Sequence, residues 1–368
     1  MGEWEKCKLE DVMNFSTTRV NSSELNEDNY VSTENMLQDY QGIVEAKSVP
    51  EDVNVISFSC GNILISNIRP YLKKVWKATF NGGCSSDVFV LKANDNIESD
   101  YLHYVIANDK FINFVMSGAK GVKMPRGDKK QMKTYSLSLP QIQEQHKIAR
   151  LLSLLDERIT TQNKIIEDLK KLKSAIIEIE YTPNTKTTSH IGDVIEQISK
   201  RNKNNAIQNV LSVSNRQGFI KQSDQFENRI VASEDTSNYK IVEQNDFAFN
   251  PARINVGSIA RLTTLEKGIV SPMYICFRTQ ENVAPEYIDY FFESKHFYCE
   301  IQKRLEGSVR QCLSFEGLSN IPLSLPSFEM QQLIGKRLFT LGQKIKTETD
   351  LLELLNKQKQ YLLRQMFI

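Results

Sequence analysis

Two stretches of this chain carry apolar side chains at intervals of three and four residues. This spacing is that of the a and d positions of a coiled coil, where one stripe of a helix packs against a partner helix. The stripe comprises Ile148, Leu152, Leu155, Ile159, Ile166, Leu169 and Ile176 in the first stretch, and Ile334, Leu338, Leu341, Ile345, Leu352, Leu355 and Leu362 in the second. We therefore predict two long amphipathic helices.

Each predicted helix has a defined start and one irregular position. Pro140 and Pro326 precede the helices, where proline is tolerated, and a Thr-Pro pair ends the first helix. Both stripes are interrupted at matching polar residues, Gln162 and Glu348. A polar residue at such a position either fixes the register of a helix pair or marks a bend in each helix. A helix of about 40 residues is roughly 60 Å long, and one apolar stripe of that length needs a partner.

The second helix repeats the first at a fixed offset of 186 residues. The 23 residues LSLPQIQEQHKIARLLSLLDERI from Leu137 align without gaps with LSLPSFEMQQLIGKRLFTLGQKI from Leu323, and 9 positions are identical. The same offset pairs Tyr101 with Tyr287 upstream. The chain is therefore one module of about 185 residues written twice, each copy with a globular part and a long helix. The globular parts differ more than the helices, which indicates different ligands.

The repeat predicts four consecutive segments along the chain. They are a globular domain at 1–140, a helical segment at 141–181, a second globular domain at 182–326 and a second helical segment at 327–368. Two equivalent helices in one chain can bury their stripes by pairing antiparallel, which would place the globular domains at opposite ends of a rod about an approximate two-fold axis. The alternative is that each helix packs only against its own domain.

The globular parts have mixed patterns. VNVISFSCGNILIS, SSDVFVLKA and KGIVSPMYICFRT alternate and are rich in β-branched residues, which is typical of strands. DYLHYVIANDKFINFVMSG and EYIDYFFESKHFYCEIQKRLEG have the pattern of amphipathic helices. We expect two similar α+β domains, each with a mostly antiparallel or strongly bent sheet.

A basic segment, AKGVKMPRGDKKQMK, spans residues 119–133. Its Gly and Pro residues predict a loop. Its cations are Lys120, Lys123, Arg126, Lys129, Lys130 and Lys133. Such a loop is suited to contact DNA phosphates, the alternative being a solvated run of charge. The corresponding segment of the second copy has one cation, Arg310.

Further cations are candidates for contacts with base edges or phosphates. In the first copy these are Arg69, Lys73, Lys74 and Lys77, and in the second they are Lys200, Arg201, Lys203, Arg216, Arg253 and Arg261. Each is as readily a surface cation or an ion-pair partner.

Composition changes this interpretation little. A net charge of +1 is low for a nucleic-acid-binding protein, although local patches matter more than the total. The six cysteines form no CxxC pair and four histidines do not cluster with them, so we expect no metal site and a reduced, cytoplasmic chain. No run of eighteen apolar residues predicts a membrane span, and the first residues do not resemble a signal peptide.

The sequence lacks several catalytic motifs. It has no GxxxxGK[ST] phosphate loop, no GxGxxG after a strand and no GxSxG nucleophile elbow. The Asn/Asp-Pro-Pro-aromatic tetrapeptide of adenine methyltransferases is also missing, since Asn250 to Arg253 lacks the aromatic residue. We predict that the chain is not itself an enzyme.

The layout resembles the specificity subunits of type I restriction–modification systems. The most specific signature is LPxxxEQxxIxxxLxxLDxxI, which the first copy matches fully, with Glu144, Gln145 and Asp156 at its polar positions. The second copy keeps Gln331 but has Met330 and Gly342 where Glu and Asp are usual. The resemblance implies that these polar positions dock partner subunits, less typically in the second copy.

The resemblance also implies the function. Each globular part would be a target-recognition domain reading one half of a bipartite double-stranded DNA site, and the paired helices would set the gap between the halves. Two methyltransferase subunits would bind this frame and supply S-adenosylmethionine, so no cofactor is expected on this chain. Translocase–nuclease restriction subunits would join them.

Two other functions stay open on the residues alone. One is a bivalent DNA adaptor or toxin-neutralising scaffold without methylation. The other is a coiled-coil assembly protein whose globular ends bind protein. An enzyme fused into the globular parts is disfavoured by the missing motifs.

Overall fold

The computed structural model describes residues 4–182, 189–215, 217–225, 235–307 and 311–367. The chain divides into two compact units, one formed by Met1–Asn163 with Asp350–Ile368 and the other by Lys164–Thr349. Each unit therefore contains one globular part and a portion of both long helices. The four segments predicted from the sequence keep each helix whole, whereas the compact units divide both helices.

Ten strands and five helices begin in the first unit. The strands are β1 Glu5–Lys8, β2 Met13–Phe15, β3 Arg19–Asn21, β4 Tyr30–Val31, β5 Asn54–Phe58, β6 Ile63–Ser66, β7 Val75–Lys77, β8 Gly82–Cys84, β9 Val88–Ala93 and β10 Ser136–Leu139. The helices are α1 Leu9–Val12, α2 Ser99–Ile106, α3 Asp109–Ser117, α4 Lys129–Lys133 and the long α5 Ile142–Tyr181, with short 3-10 turns at Ser22–Glu24 and Pro70–Leu72.

Eight strands and five helices begin in the second unit. The strands are β11 Ile195–Ile198, β12 Val210–Ser214, β13 Gly218–Lys221, β14 Lys240–Glu243, β15 Phe247–Phe249, β16 Ile259–Arg261, β17 Lys267–Val270 and β18 Ile275–Thr279. The helices are α6 Gln222–Gln225, α7 Pro285–Phe291, α8 Lys295–Arg304, α9 Phe315–Ser319 and the long α10 Phe328–Met366, with 3-10 turns at Ile191–Asp193 and Ile254–Val256.

The expected mixed α and β content with mostly antiparallel sheets is confirmed. The first unit has sheets ordered β2-β9-β6-β7 and β3-β5-β8-β4 and a pair β1-β10, and the second has β11-β18-β15-β16 and β13-β12-β17-β14. Among these pairings only β4 with β8 and β12 with β17 are parallel. One expectation was partly wrong: the basic segment is not a loop throughout, because Lys129–Lys133 forms α4 behind an Asp128 N-cap.

The two units share one sheet and differ in the other. The β2-β9-β6-β7 order is repeated as β11-β18-β15-β16, so the sheet beneath the helices is the same in both. In the second sheet, β5, β8 and β4 correspond to β14, β17 and β12. The fourth strand lies at opposite edges, since β3 pairs with β5 whereas β13 pairs with β12. The parts that the sequence shows as dissimilar therefore differ in strand order as well as in residues.

The long helices contribute to the core of each unit. Every predicted stripe residue is buried or half-buried, and the interrupting Gln162 and Glu348 are buried as well. In the first unit, Ile148 and Leu152 of α5 and Leu362 of α10 share one hydrophobic cluster with α2 and α3. In the second, Ile177 and Tyr181 of α5 cluster with Ile334 and Leu338 of α10. The alternative in which each helix packs only on its own domain is therefore wrong.

The last aromatic residue of each long helix docks on a buried tyrosine. Tyr181 donates its hydroxyl to the Tyr287 carbonyl at 2.6 Å, and their ring centroids are 4.8 Å apart in the second unit. Phe367, the corresponding residue, lies 5.3 Å from the Tyr101 ring in the first unit. Both Tyr101 and Tyr287 are fully buried. The internal repeat is thus also a repeat of packing.

Candidate nucleic-acid interface

Both units hold the same closed loop after the second domain helix. In the first unit the backbone N–H of Lys120 donates to Arg126 at 3.1 Å, and that of Arg126 donates back at 2.9 Å. In the second unit Glu306 and Cys312 exchange the same two bonds, both at 2.9 Å. Because the bonds pair residues 186 apart in sequence, the loop is a shared element whose tip varies.

Each closed loop is fastened to the turn after the central strand of the shared sheet. In the first unit the Gly127 N–H donates to Asn67 at 3.0 Å and the Arg69 N–H donates to Pro125 at 2.8 Å. In the second the Leu313 N–H donates to Pro251 at 3.0 Å. The loop tip and the neighbouring arginine, Arg69 or Arg253, therefore lie on adjoining segments, and both arginines are exposed.

The first loop presents its cations to solvent. Lys120, Lys123 and Arg126 are exposed. Lys120 forms an ion pair with Asp128 at 3.3 Å, and Arg126 forms one with Asp87 at 3.2 Å. These pairs orient the side chains while more than half of each remains accessible to a phosphate. We name Arg69, Lys120, Lys123 and Arg126 the first basic surface.

Residues after the loop have mixed environments. The Lys129 ammonium lies 4.7 Å from the Phe89 ring centroid and 5.1 Å from that of Phe15, and burial lowers its pKa. This cation–π contact supports the fold. Lys130 is exposed on the short helix α4 and is available to a ligand, whereas Lys133 is half-buried.

Three lysines of the first copy contribute to the fold. Lys73 forms an ion pair with Asp109 at 2.9 Å. The Lys74 ammonium donates to the Thr33 carbonyl at 2.6 Å, and burial lowers its pKa. Lys77 pairs with Asp100. All three are half-buried, so we place them behind the first basic surface rather than in it.

Arg261 was a candidate for DNA contact, and its environment argues against that role. Its side chain is only 8% exposed and forms ion pairs with Glu286 at 2.5 Å and Asp289 at 3.1 Å. The pair matches Lys77 with Asp100 of the first copy, since both join the last strand of the shared sheet to the following helix. Arg261 is therefore a structural ion-pair partner, and we remove it from the candidates.

The remaining described candidates of the second unit occupy two places. Arg253 lines a cavity of about 240 Å³ together with Asn250, Gln222 and Tyr274. Lys200, Arg201 and Lys203 are exposed in a separate segment, where Arg201 donates to Asn238 at 2.9 Å. The candidates Arg216 and Arg310 lie outside the described residues.

The predicted partner-docking glutamines hold the helices to their own domains. Gln145 is buried, accepts from the Glu98 N–H at 2.8 Å and donates to the Pro140 carbonyl at 2.9 Å. Gln331 is buried and makes the matching bonds with the Ala284 N–H and the Pro326 carbonyl, both at 2.9 Å. Docking of a partner by these two side chains is excluded in this structure because they are covered and engaged.

Two other docking candidates differ from the glutamines. Asp156 accepts from the Tyr104 hydroxyl at 2.9 Å and pairs with Lys359 of α10 at 2.5 Å, so it joins three elements of the first unit. Its carboxylate and the Tyr104 hydroxyl face each other, which, after burial, raises the pKa of Tyr104. Glu144 is half-buried at the start of α5.

Several residues of interest carry no signal in the sequence. Val122 and Met124, at the tip of the first loop, are apolar residues in a basic segment, and Val122 is 100% exposed. Lys173 and Lys359, at matching positions of the two stripes, form ion pairs with Glu293 at 2.6 Å and with Asp156. A gap in an apolar pattern was the one sign of these lysines.

Known proteins of similar sequence identify the chain's family. The family model described as the type I restriction modification DNA specificity domain matches residues 1–171 and again residues 180–357. This chain belongs to that family. The two matches correspond to the two copies of the repeat, so the chain is a type I restriction–modification specificity subunit by sequence.

Individual relatives agree with the family. The chain is 25% identical over 317 residues to the type I restriction enzyme MjaVIII specificity subunit of Methanocaldococcus jannaschii, covering 76% of this chain and 71% of that one. It is 25% identical over 347 residues to the putative MjaX specificity subunit of the same organism, covering 85% and 77%.

Solved structures share the fold. The S subunit of a type I restriction–modification system from M. genitalium superposes with a TM-score of 0.62 at 15% identity, covering 99% of this chain and 96% of that one. The HsdS subunit from Thermoanaerobacter tengcongensis gives a TM-score of 0.52 at 17% identity, with coverages of 99% and 96%.

Two further kinds of site were sought within the described ranges. No group of three or more His, Cys, Asp or Glu residues there is arranged to hold a metal ion. No helix there is long and apolar enough to cross a membrane.

Proposed function

We propose that this chain is a non-catalytic subunit that selects the DNA site of a type I restriction–modification complex. Each globular part reads one half of a bipartite double-stranded site. The observation that carries the proposal is the closed loop beside an exposed arginine, which recurs in both units with different residues at its tip. A shared frame with unlike tips is what two unlike half-sites require.

The basic residues divide into two roles under this proposal. Lys120, Lys123, Arg126 and Lys130 contact phosphates of the first half-site, and Arg69 lies where it reaches a base edge. In the second unit Arg253 occupies the position of Arg69, and its cavity with Asn250 and Gln222 offers amide groups suited to adenine. Lys200, Arg201 and Lys203 supply phosphate contacts there.

The long helices pair antiparallel and set the gap between half-sites. This is supported by the burial of both stripes and by the ion pair of Asp156 on α5 with Lys359 on α10. Clustering of Ile148 with Leu362 and Leu363 agrees with opposite chain directions in the first unit. Helices of 40 and 39 residues extend about 60 Å, roughly 18 base pairs at 3.4 Å each.

Methyltransferase subunits bind this helical frame. A structure with the same fold comes from work on complex assembly and conformational transition of the type I system, at a TM-score of 0.58 and 16% identity. On this chain, Leu151, Ile165, Leu172 and Ile179 of α5 are exposed apolar residues whose spacings are multiples of seven. A stripe of that period suits the helices of a partner. The methyltransferase would supply S-adenosylmethionine, and restriction subunits would join the complex.

The test is purification of the full chain from its source cell, followed by identification of the bound proteins and mapping of methylated adenines. We expect two copies of an adenine methyltransferase per chain and methylation within one bipartite sequence. A chain that purifies without a methyltransferase, yet binds a split DNA site, would be an adaptor. A chain with weak binding that ignores sequence would be an assembly protein.

Removing one heptad from each helix tests the gap. Deleting residues 164–170 together with 350–356 shortens each helix by about 10 Å and keeps the seven-residue register, so the preferred gap should shrink by about three base pairs. The control replaces Lys164 and Lys346, which are exposed, with alanine. An unchanged gap in the shortened chain would contradict the proposed role of the helices.

A further inference from the structure

The tip of the first loop has an unusual surface for a basic segment. Val122 is 100% exposed and Met124 is 47% exposed, between the exposed cations Lys120, Lys123 and Arg126. Exposed apolar side chains are common singly, but here two lie on a tip of five residues closed at its base by paired backbone bonds. The apolar pair and the cations therefore face the same ligand.

The loop is built to hold this tip in place. Beneath it Pro125 is buried, and a Cβ at Gly127 would lie 2.7 Å from Met132 and 3.0 Å from Val115. Gly121 turns the chain at a φ of 97°, a conformation that favours glycine. Ion pairs of Lys120 and Arg126 add two lateral ties. A tip fixed in this way projects apolar groups with little entropy to lose on binding.

The flanking cations indicate what covers the apolar pair. A protein surface that received three cations would need carboxylates, whereas DNA supplies a phosphate on each side of a groove. Valine carries no donor or acceptor, so on DNA it contacts an apolar feature of a base pair. In the major groove that feature is the C5-methyl group of thymine. Valine is short and branched at Cβ, which suits contact with a methyl group better than insertion between stacked bases.

We propose that Val122, assisted by Met124, contacts a thymine methyl group in the half-site read by the first unit, while Lys120, Lys123 and Arg126 hold the adjacent phosphates. This rests on the proposed function and deepens it by naming a base-specific, apolar contact. The corresponding tip of the second copy reads Ser308, Val309 and Arg310 in sequence, so it offers polar residues at the positions of Val122 and Met124. The thymine contact therefore belongs to one half-site only.

The experiment uses the full chain in complex with its methyltransferase and duplexes containing the methylated site. Each thymine of both half-sites is replaced in turn by uracil, which lacks only the methyl group, and affinity is measured at fixed salt. We expect the native complex to lose about fourfold in affinity at one or two positions of one half-site. Val122→Ala should weaken binding to the thymine duplex by a similar factor and should no longer respond to uracil there.

Two variants serve as controls. Lys123→Ala should weaken binding to specific and scrambled duplexes alike, with a shallower salt dependence and the uracil response intact. Val44→Ala changes a half-exposed valine of the same unit outside the loop and should leave every affinity unchanged.

Three results would overturn the contact. They are a native complex indifferent to uracil, a Val122→Ala complex that keeps the full uracil response, and a first half-site without thymine on either strand. Failure of the proposed function looks different, since the native complex would then bind the site and a scrambled duplex equally.

Discussion

The two units fasten their helices in the same way but balance charge differently. Gln145 and Gln331 make equivalent hydrogen bonds, and Lys359 and Lys173 occupy equivalent positions at 186 residues apart. Lys359 pairs with Asp156 on α5, but the residue equivalent to Asp156 is Gly342, and Lys173 pairs instead with Glu293 of the domain. The residue equivalent to Glu293 is Ala107.

This difference shows which features the frame requires. The carboxylate has moved from the helix to the domain, while the half-buried lysine has remained, so each lysine keeps one partner. An isolated half-buried ammonium would cost more than either ion pair contributes. Hydrogen bonds to buried backbone groups have geometry that one side chain satisfies, and they are unchanged. Ion pairs tolerate relocation because charge attraction has little directional demand.

Loss of either buried glutamine should produce the largest effect. Gln145→Ala leaves the Glu98 N–H and the Pro140 carbonyl without this partner, and we expect unfolding free energy of the first unit to fall by about 2–4 kcal/mol. Both tryptophans, Trp4 and Trp76, lie in the first unit, so tryptophan fluorescence during urea unfolding reports that unit.

Comparison of matched variants then tests whether the two clamps are equivalent. Gln331→Ala should destabilise the second unit by a similar amount, measured as faster hydrogen exchange around Ala284 and Pro326. Gln143→Ala, an exposed residue on the same helix as Gln145, is the control. A Gln145→Ala chain as stable as the control would show that the clamp contributes nothing.

Acid should affect the two units in opposite directions at one equivalent position. His103 is fully buried, and burial lowers its pKa to about 4, while Asp289 in the second unit has its pKa raised by burial despite Arg261. The neutral His103 contributes stability above pH 6.5, and this is lost as pH falls toward 4, on the order of 2–3 kcal/mol. A carboxyl with a raised pKa contributes stability at low pH and loses it as pH rises.

The measurement is urea unfolding followed by tryptophan fluorescence between pH 7 and pH 4. His103→Asn should remove much of the pH dependence of the first unit, whatever its effect at neutral pH. His146→Asn, on the exposed face of α5, should leave the dependence intact. Equal slopes for native and His103→Asn chains would assign the acid sensitivity to other groups.

Restoring the helix carboxylate should give the smallest effect. A Cβ at Gly342 meets nothing within 4 Å, so Gly342→Asp fits and places a carboxylate where the first unit has Asp156. In a Glu293→Ala chain we expect it to recover about 0.5–1 kcal/mol by pairing with Lys173. Gly342→Ala separates helix propensity from charge. A double-mutant cycle with Lys173→Met that shows no coupling would mean that the two helices approach differently in the two units.

Much of the fold could be predicted because its signals are local and repeated. The stripes predicted helices of about 40 residues, and the structure has 40 and 39. The matching pairs Asp11-Val12 and Asp193-Val194 belong to similar turns, where each aspartate accepts from a backbone N–H three residues earlier. Family membership also followed from local motifs, which the two family matches confirm.

The candidate site could be predicted only in part. The sequence indicated the basic loop but could not distinguish Lys123, which is exposed, from Lys129, which lies over two aromatic rings. It grouped Arg253 with Arg261, although only Arg253 is exposed. It read Gln145 as a docking residue, because a motif shows that a side chain matters but not what it touches. Each distinction depends on partners far apart in the chain.

The sequence alone determined the internal repeat, the two long helices, the α and β content and the absence of familiar catalytic motifs, because these depend on spacing and residue type. Tertiary structure decided which unit each half-helix joins, at which edge of the second sheet the fourth strand lies and which cations remain free. Burial and ion pairing are set by the neighbours that folding brings together, and an amphipathic pattern is the same whichever neighbour covers it.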